Sequence, residues 1–390
     1  MSLPLLAKIS EYFPAQKSTS VKNMLIMSSA IFETESTNLN KVKRNIGKIT
    51  GNLKSSPDAN YKRSIRFFNL PDEEKRALMR TLVFLIVFLV GEKKKIKYLT
   101  LDGTSWEIGE KKVQLLTLCI VYEGVSIPLW WEELDKKGHS NTKERKKVIR
   151  QAGKVLNLKG LILLADREYL GKEWFKYLIN KRVGFVIRLK ENTYVEQINE
   201  ASQRAKKGEI FQKARYSKLI AMAKWQRYKN VGLSKYFRID QKSYTFVVID
   251  NPKNDPKEPL LFFISTLKNK IEIVKTYPIR WSIECCFKHL KSNGFDLEAI
   301  NLKAPLKIML MMAIVSFLYV LCVIEGLKQL KKKKKSHYKK YKDGTKTLAV
   351  SVFAKGLDFL NNEFFDLESF LDFLYRLCVA IKLAISQNVQ

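Results

Sequence analysis

The sequence predicts a mixed α/β fold with helical segments at both ends, on three observations. Residues 1 to about 92 carry no convincing alternating strand pattern. From Ile96 short apolar strands alternate with amphipathic helices. Beyond about residue 267 the long apolar stretches again read as helices. With 390 residues the chain is long enough to bury more than one core, and 46% hydrophobic with 11% aromatic residues argues for a folded protein.

The first stretch offers helices at Leu3–Phe13, Val21–Phe32, Tyr61–Phe68 and Asp72–Val90. Asp72 follows Pro71 and precedes Glu73 and Glu74, an acidic start that complements a helix dipole. IKYLTLD (Ile96–Asp102) then reads as a strand ending in a carboxylate. VQLLTLCIVY (Val113–Tyr122) and VSIPLWWEE (Val125–Glu133) follow, joined by Glu123-Gly124 as a tight hairpin. Thr142–Val155 is a charged amphipathic helix. GLILLAD (Gly160–Asp166) is continuously apolar, as expected of a strand buried on both faces. Lys172–Arg182 is a further helix and GFVIRLK (Gly184–Lys190) a fifth strand. The order βββαβαβ, with three antiparallel strands before the first helix, is the pattern of ribonuclease H-like folds. From residue 193 to about 266, runs such as YTFVVID (Tyr244–Asp250) and LLFFIS (Leu260–Ser265) alternate with basic stretches, which reads as an inserted β-rich subdomain.

The net charge of +33, from 71 basic and 38 acidic residues, implies a polyanionic partner, with nucleic acid first. A Lys-rich solvated surface is the plainer alternative. YKRSIRFFN (Tyr61–Asn69), which mixes cations with aromatics, fits a small DNA-binding helical bundle or a plain helical cap. The expected division is 1–92 helical and DNA-binding, 93–192 the first part of the ribonuclease H-like core, and 193–266 the β-rich insertion. Residues 267–326 form the second part of the core, and 327–390 a basic segment with C-terminal helices.

Five cysteines show neither disulfide-framework nor zinc spacing, and only three histidines are present. MSLPLLAKISEYF lacks the features of a signal peptide, so a cytoplasmic, nucleoid-associated location is expected. Ile308–Ile324 is uncharged but short for a membrane span of about 20 residues, and it reads as a buried core helix rather than a membrane contact. TLVFLIVFLV (Thr81–Val90) is read the same way. The run Lys331–Lys335 marks a flexible or DNA-tracking segment. The comparatively acidic tail Leu348–Val389 is expected to be helical.

YPIRWSIECCFKHLK (Tyr277–Lys291) carries the chemistry. Read as one helix, Tyr277, Arg280, Glu284 and Lys291 fall within an arc of about 60° at ~100° per residue. Ile279, Ile283, Phe287 and Leu290 form a neighbouring apolar stripe. Pro278 suits the first turn and Asn293-Gly294 the end. Three carboxylates fall where this fold would bring them together: Asp102 and Asp166 after adjacent strands, and Glu284 on this helix. Alone they would repel one another. Two divalent cations would cancel that charge, activate a hydroxyl and stabilise a leaving oxyanion in displacement at phosphorus. Oxygen-only ligands favour Mg²⁺, with Mn²⁺ as substitute. Each residue also has a plainer role. Asp102-Gly103 could be a turn, Asp166 a helix cap, and Glu284 an ion-pair partner of Arg280.

The spacing Tyr-x2-Arg-x3-Glu-x6-Lys at Tyr277, Arg280, Glu284 and Lys291 resembles the signature of bacterial insertion-sequence DDE transposases of the Tyr-Arg-Glu-Lys group. LTLDGTSW around Asp102 and LLADREYLG around Asp166 resemble the family's two aspartate motifs. GFVIRLKEN (Gly184–Asn192) and NGFDLEAINL (Asn293–Leu302) resemble its flanking segments. The resemblance implies that Asp102, Asp166 and Glu284 ligate two Mg²⁺ ions. It also implies that Tyr277, Arg280 and Lys291 grip phosphates near the cleaved end. Arg280 suits a bidentate grip and Lys291 a point charge. Trp281 beside them stacks on a base or packs in the core. KWQRYK (Lys224–Lys229), with Trp225 and Tyr228, contacts a distorted end or is an ordinary surface strand. The family further implies cut-and-paste transposition on double-stranded DNA, both transposon ends and target, by a homodimer assembled on DNA. The acidic C-terminal helices are the expected contact between copies. Two other readings stay open: another ribonuclease H-like metal-dependent nuclease, and a non-catalytic DNA-binding derivative of a transposase.

Overall fold

The computed structural model describes residues 17–91, 96–108, 110–134, 138–190, 233–239, 242–252, 257–332, 338–340, 346–363 and 368–376, with residues 136, 255 and 379. The expected helix at Leu3–Phe13, the KWQRYK motif and much of the Lys331–Lys342 run lie outside the described residues. The chain groups into two compact units. One draws on residues 93–104 and 115–284, the other on 1–92, 105–114 and 285–390.

The first unit is built on a mixed sheet of eight strands in the order β3-β2-β1-β4-β5-β8-β7-β6. The strands are β1 (Tyr98–Ile108), β2 (Lys111–Tyr122), β3 (Val125–Glu133), β4 (Ile162–Ala165), β5 (Gly184–Leu189), β6 (Leu233–Ile239), β7 (Lys242–Asp250) and β8 (Leu260–Ser265). β2 and β3 pair antiparallel, and Glu123 and Gly124 between them both take positive φ, at 46° and 83°. Such a turn matches the strand twist and closes a two-residue hairpin. β1 pairs parallel with β4, and β4 parallel with β5. Three strands in hairpin succession followed by parallel β4 and β5 give the ribonuclease H-like core that the element order predicts. Leu163, Leu164 and Ala165 of β4 are fully buried, as a continuously apolar central strand requires. The described strands of the insertion extend this same sheet, because β8 pairs antiparallel with β5 and then with β7.

Helix α5 (Thr142–Ala152) packs on β3, and α6 (Lys172–Asn180) on α5 and β5. α5 begins with a full capping box. The Asn141 side chain accepts from the Glu144 amide, and Glu144 accepts from the Asn141 amide. α7 (Lys270–Thr276), capped by Asn269, packs on β7. Its Ile273 joins Leu164, Val186, Val247 and Phe263 in one apolar cluster, with Tyr277 and Ile279 packed at its margin.

The other unit is mostly helical: α1 (Ser18–Thr34), α2 (Leu39–Ile49), α3 (Pro57–Phe68), α4 (Asp72–Val90), α9 (Pro305–Lys332) and α10 (Val352–Glu363). α2 was not expected from the sequence. It starts at Asn38, whose side chain caps the Asn40 amide, and it buries Leu39, Val42, Ile46 and Ile49. On α3, Phe67 and Phe68 are buried in the core while Lys62 and Arg66 are exposed. α9 is long and apolar enough to cross a membrane, yet 89% of its most apolar window is buried within the protein. It packs against α4, α10 and α1, which agrees with the core-helix reading of Ile308–Ile324. α10 approaches α9 so closely at Gly326 and Gly356 that a Cβ at either would collide with the opposing backbone.

Candidate active site

The two sheet aspartates are placed by strand register. β1 and β4 pair from Tyr98↔Ile162 to Leu101↔Ala165. Asp102 and Asp166 are therefore the next residue on each strand beyond the last parallel pair. β1 does not end at Asp102, as its sequence suggested, but runs on to Ile108. The reason is its second edge: β2 neighbours β1, so β1 stays extended after β4 stops. Asp102 thus points from a continuous strand, and Asp166 opens the segment after a finished one. Strand ends of this kind are where polar groups of an open α/β sheet converge without burial among apolar side chains.

Glu284 comes from the segment after α7. Tyr277–Trp281 forms a 3₁₀ turn and α8 spans only Ser282–Leu290. The single continuous helix read from Tyr277 to Lys291 is therefore corrected. Pro278 has no N–H to donate and fixes its own φ, which suits a tight entry turn. The even ~100° spacing fails across the 3₁₀ turn, yet Arg280 still meets both Tyr277 and Glu284. The start of α8 is tied to the sheet by three hydroxyls. Ser282 Oγ lies 2.6 Å from Ser126 Oγ, which lies 3.0 Å from Thr100 Oγ1, two residues before Asp102.

Arg280 joins two of the three carboxylates. Its Nη1 lies 3.4 Å from Asp102 Oδ2, and its Nη2 donates to Glu284 Oε1 at 2.6 Å. Its guanidinium carbon also sits 5.9 Å from the Tyr277 ring centre. Tyr277 donates its hydroxyl to Asp166 Oδ1 at 3.4 Å. Asp102 Oδ1 accepts from its neighbour Gly103 N at 2.8 Å and from Tyr169 Oη at 3.5 Å. Tyr169, three residues after Asp166, escaped the sequence reading. Its signal would have been a phenol in the segment that carries the second aspartate.

Burial pushes the Asp102 carboxyl up to about 6; Gly103 N–H and the Arg280 charge pull the other way, and Glu168 and Asp166 add to the rise. Burial, then the Asp166 charge, raises the Tyr277 hydroxyl well above its ordinary range, so it stays a neutral donor. Burial also works against the Arg280 charge, but Tyr277, Asp166, Glu284 and Asp102 outweigh it and raise an already high value. Arg280 therefore stays charged between these carboxylates.

The donor set suits a hard divalent ion, since all three carboxylates supply only oxygen. Among the described residues, no three His, Cys, Asp or Glu side chains are gathered into a metal cage. In this arrangement Arg280 supplies the positive charge between Asp102 and Glu284. The remaining predicted residues lie as follows. Trp281 is 58% exposed, so it is not a core residue. Lys291 belongs to the other unit, where it donates to the Ser105 carbonyl at 2.7 Å and pairs with Glu298 at 3.1 Å. Its ammonium sits 5.8 Å from the Trp106 ring centre.

The family model of the transposase DDE domain matches residues 93–321, more than half of the chain and the whole span from Asp102 to Glu284. The chain belongs to the transposase DDE family. DNA transposition is thus its class of activity, and such transposases in general carry nuclease and transesterification activity and use divalent metal ions. Among solved structures, this DDE transposase is similar to the piggyBac transposase in a synaptic complex with hairpin DNA. The two share 12% identity at a TM-score of 0.40, over 82% of this chain and 69% of that one. No curated protein matches the sequence.

Proposed function

We propose that this chain is a metal-dependent transposase of a bacterial insertion sequence, of the Tyr-Arg-Glu-Lys group, which cuts and joins DNA at its element's terminal inverted repeats. The observation that carries the proposal is the register Leu101↔Ala165, which sets Asp102 beside Asp166, together with one guanidinium held by Asp102 and Glu284. Asp102, Asp166 and Glu284 would hold two Mg²⁺ ions, or Mn²⁺ in their place. When bound, these would supply charge for an attacking hydroxyl and a leaving oxygen.

The chain's own residues have separate duties. Tyr277 stays neutral and donates to Asp166, which would help to orient that carboxylate. Arg280 supplies a planar fork, suited to carboxylates now and to a backbone phosphate when DNA is present. Lys291 adds a point charge, and exposed Trp281 offers a face for a base unstacked at the cut. The net charge of +33 supports a long phosphate footprint on transposon ends and target. The helical N-terminal residues are the proposed end-recognition domain. A homodimer on DNA would hold both ends, and the bacterial cytoplasm, at the nucleoid, is the proposed location. Each step from first nick to target joining is the same substitution at phosphorus, so one carboxylate set serves a cut-and-paste sequence.

The test uses DNA duplexes ending in the element's terminal repeats, with Mg²⁺. The wild-type protein cuts and joins these and spares unrelated duplexes. Asp102→Asn, Asp166→Asn and Glu284→Gln each lower both activities by at least ~10³-fold while DNA binding is kept. Activity that survives these changes would sink the site assignment.

A further inference from the structure

Outside the carboxylates and the signature residues, the least economical group in the sheet unit is Arg145 on α5. It is only 5% exposed. Among the described residues no carboxylate lies within ion-pair distance of it. Its acidic neighbours Glu168 and Glu144 act on it only through space: Glu168 contacts His139 and hydrogen-bonds the Tyr169 side chain, and Glu144 pairs with Lys136 and caps α5. Burying a guanidinium without a directly paired carboxylate is costly, and burial does pull its ordinarily very high pKa down, offset only in part by the charges of Glu168 and Glu144. The cost is met by four hydrogen bonds, two to Ser140 and two to the segment that follows Asp166. Nε donates to Ser140 Oγ at 3.0 Å and Nη2 to the Ser140 carbonyl at 2.6 Å. Nη2 also donates to the Glu168 carbonyl at 3.0 Å, and Nη1 to the Leu170 carbonyl at 3.2 Å.

The Glu168 and Leu170 carbonyls bracket Tyr169. The phenol is fully buried, and the guanidinium carbon lies 5.0 Å from its ring centre. At the far end of that ring the hydroxyl reaches Asp102 Oδ1, and the Tyr169 amide donates back to the Asp166 carbonyl at 3.0 Å. One side chain on α5 is thus linked to both aspartates. It reaches Asp166 through the backbone of the segment that follows it, and Asp102 through the phenol stacked beneath the guanidinium.

We propose that Arg145 is a positioning residue for the two sheet aspartates, which acts by clamping residues 168–170 and pressing the Tyr169 hydroxyl toward Asp102. Lysine cannot replace it, because one ammonium cannot span the Ser140, Glu168 and Leu170 carbonyls as a planar fork does. The inference rests on the proposed reading of Asp102 and Asp166 as metal ligands, whose outer partners commonly govern affinity by 10–100-fold.

The experiment is Mn²⁺ titration by calorimetry on the full-length wild type, Arg145→Lys, Tyr169→Phe and Asp102→Asn, with thermal unfolding and terminal-repeat DNA affinity measured alongside. The expected result is Mn²⁺ binding about 10-fold weaker in both Arg145→Lys and Tyr169→Phe. DNA affinity stays within about twofold, and Tyr169→Phe keeps the wild-type unfolding midpoint. Wild-type Mn²⁺ affinity in both variants overturns the proposal while Asp102→Asn still loses the metal. If Arg145→Lys does not fold, Tyr169→Phe decides alone. Undiminished Mn²⁺ binding by Asp102→Asn would instead overturn the metal-site reading, and this inference with it.

Discussion

Arg280 and Lys291 belong to one short signature, yet they are built into the molecule by opposite means. Arg280 sits among carboxylates of the sheet unit and makes its ion pairs with Asp102 and Glu284. Lys291 belongs to the other unit, and its partners are the Ser105 carbonyl, Glu298 and the Trp106 ring. The sequence pattern casts both as phosphate grips, one a bidentate fork and one a point charge. Their partners assign them different work. A change at Arg280 disturbs the proposed metal ligands themselves, whereas a change at Lys291 disturbs only a cation and its local support.

That contrast can be broken at Arg280 first, where the largest effect is expected. Arg280→Ala leaves Asp102 and Glu284 without their shared cation. Strand cleavage at saturating DNA should fall by about 10²-fold, with a smaller change in DNA affinity, and Arg280→Lys should recover little because the fork is lost. Single-turnover kinetics on terminal-repeat duplexes checks this; an equal loss in affinity and rate would show that Arg280 acts only as a phosphate grip.

The second effect is on stability. Burial raises Asp102 from 3.8 to about 6, so the folded chain holds a proton that the unfolded chain has already released in that window. This contribution is fully present below pH ~4 and lost as pH rises through ~6, at ~1.4 kcal/mol per pH unit. At pH 7 without metal the ionised carboxylate therefore costs on the order of 2–3 kcal/mol. Asp102→Asn should be more stable than wild type at pH 7 in the presence of a chelator, and the gap should close toward pH 4. Urea unfolding across that range measures it. A gap that widens on acidification would reverse the sign.

Lys291 should give the smallest effect. Lys291→Ala should weaken DNA binding a few-fold and reduce the slope of log affinity against log salt by about one, with the cleavage rate at saturation nearly unchanged. Fluorescence anisotropy over a salt series reads both quantities. A cleavage defect as large as that of Arg280→Ala would erase the distinction between the two residues.

Much of this arrangement is legible in the sequence, for identifiable reasons. The hairpin strands and the apolar β4 announce themselves by period and by composition, so the βββαβαβ order and the neighbouring aspartates follow. Asp102 misled as a strand end because Gly103 reads as a turn, while pairing on the β2 side keeps the chain extended to Ile108. The Tyr277–Lys291 segment misled because one helical period was extended across Pro278, where a 3₁₀ turn intervenes. Arg145 was hidden among the charges of an amphipathic helix. Its register was available, since Val148, Ile149 and Ala152 continue the buried face on which Arg145 stands. In α2 the cations obscure the helical spacing of the buried positions Leu39, Val42, Ile46 and Ile49.

The central claim is that Asp102, Asp166 and Glu284 act as one metal-binding set, with Arg280 standing between two of them until an ion is bound. Electron paramagnetic resonance of Mn²⁺ added to the full-length protein with terminal-repeat DNA tests it most directly. Bound Mn²⁺ should be seen with the wild type and be strongly reduced in Asp102→Asn, Asp166→Asn and Glu284→Gln alike. Wild-type Mn²⁺ binding in all three variants would contradict the account.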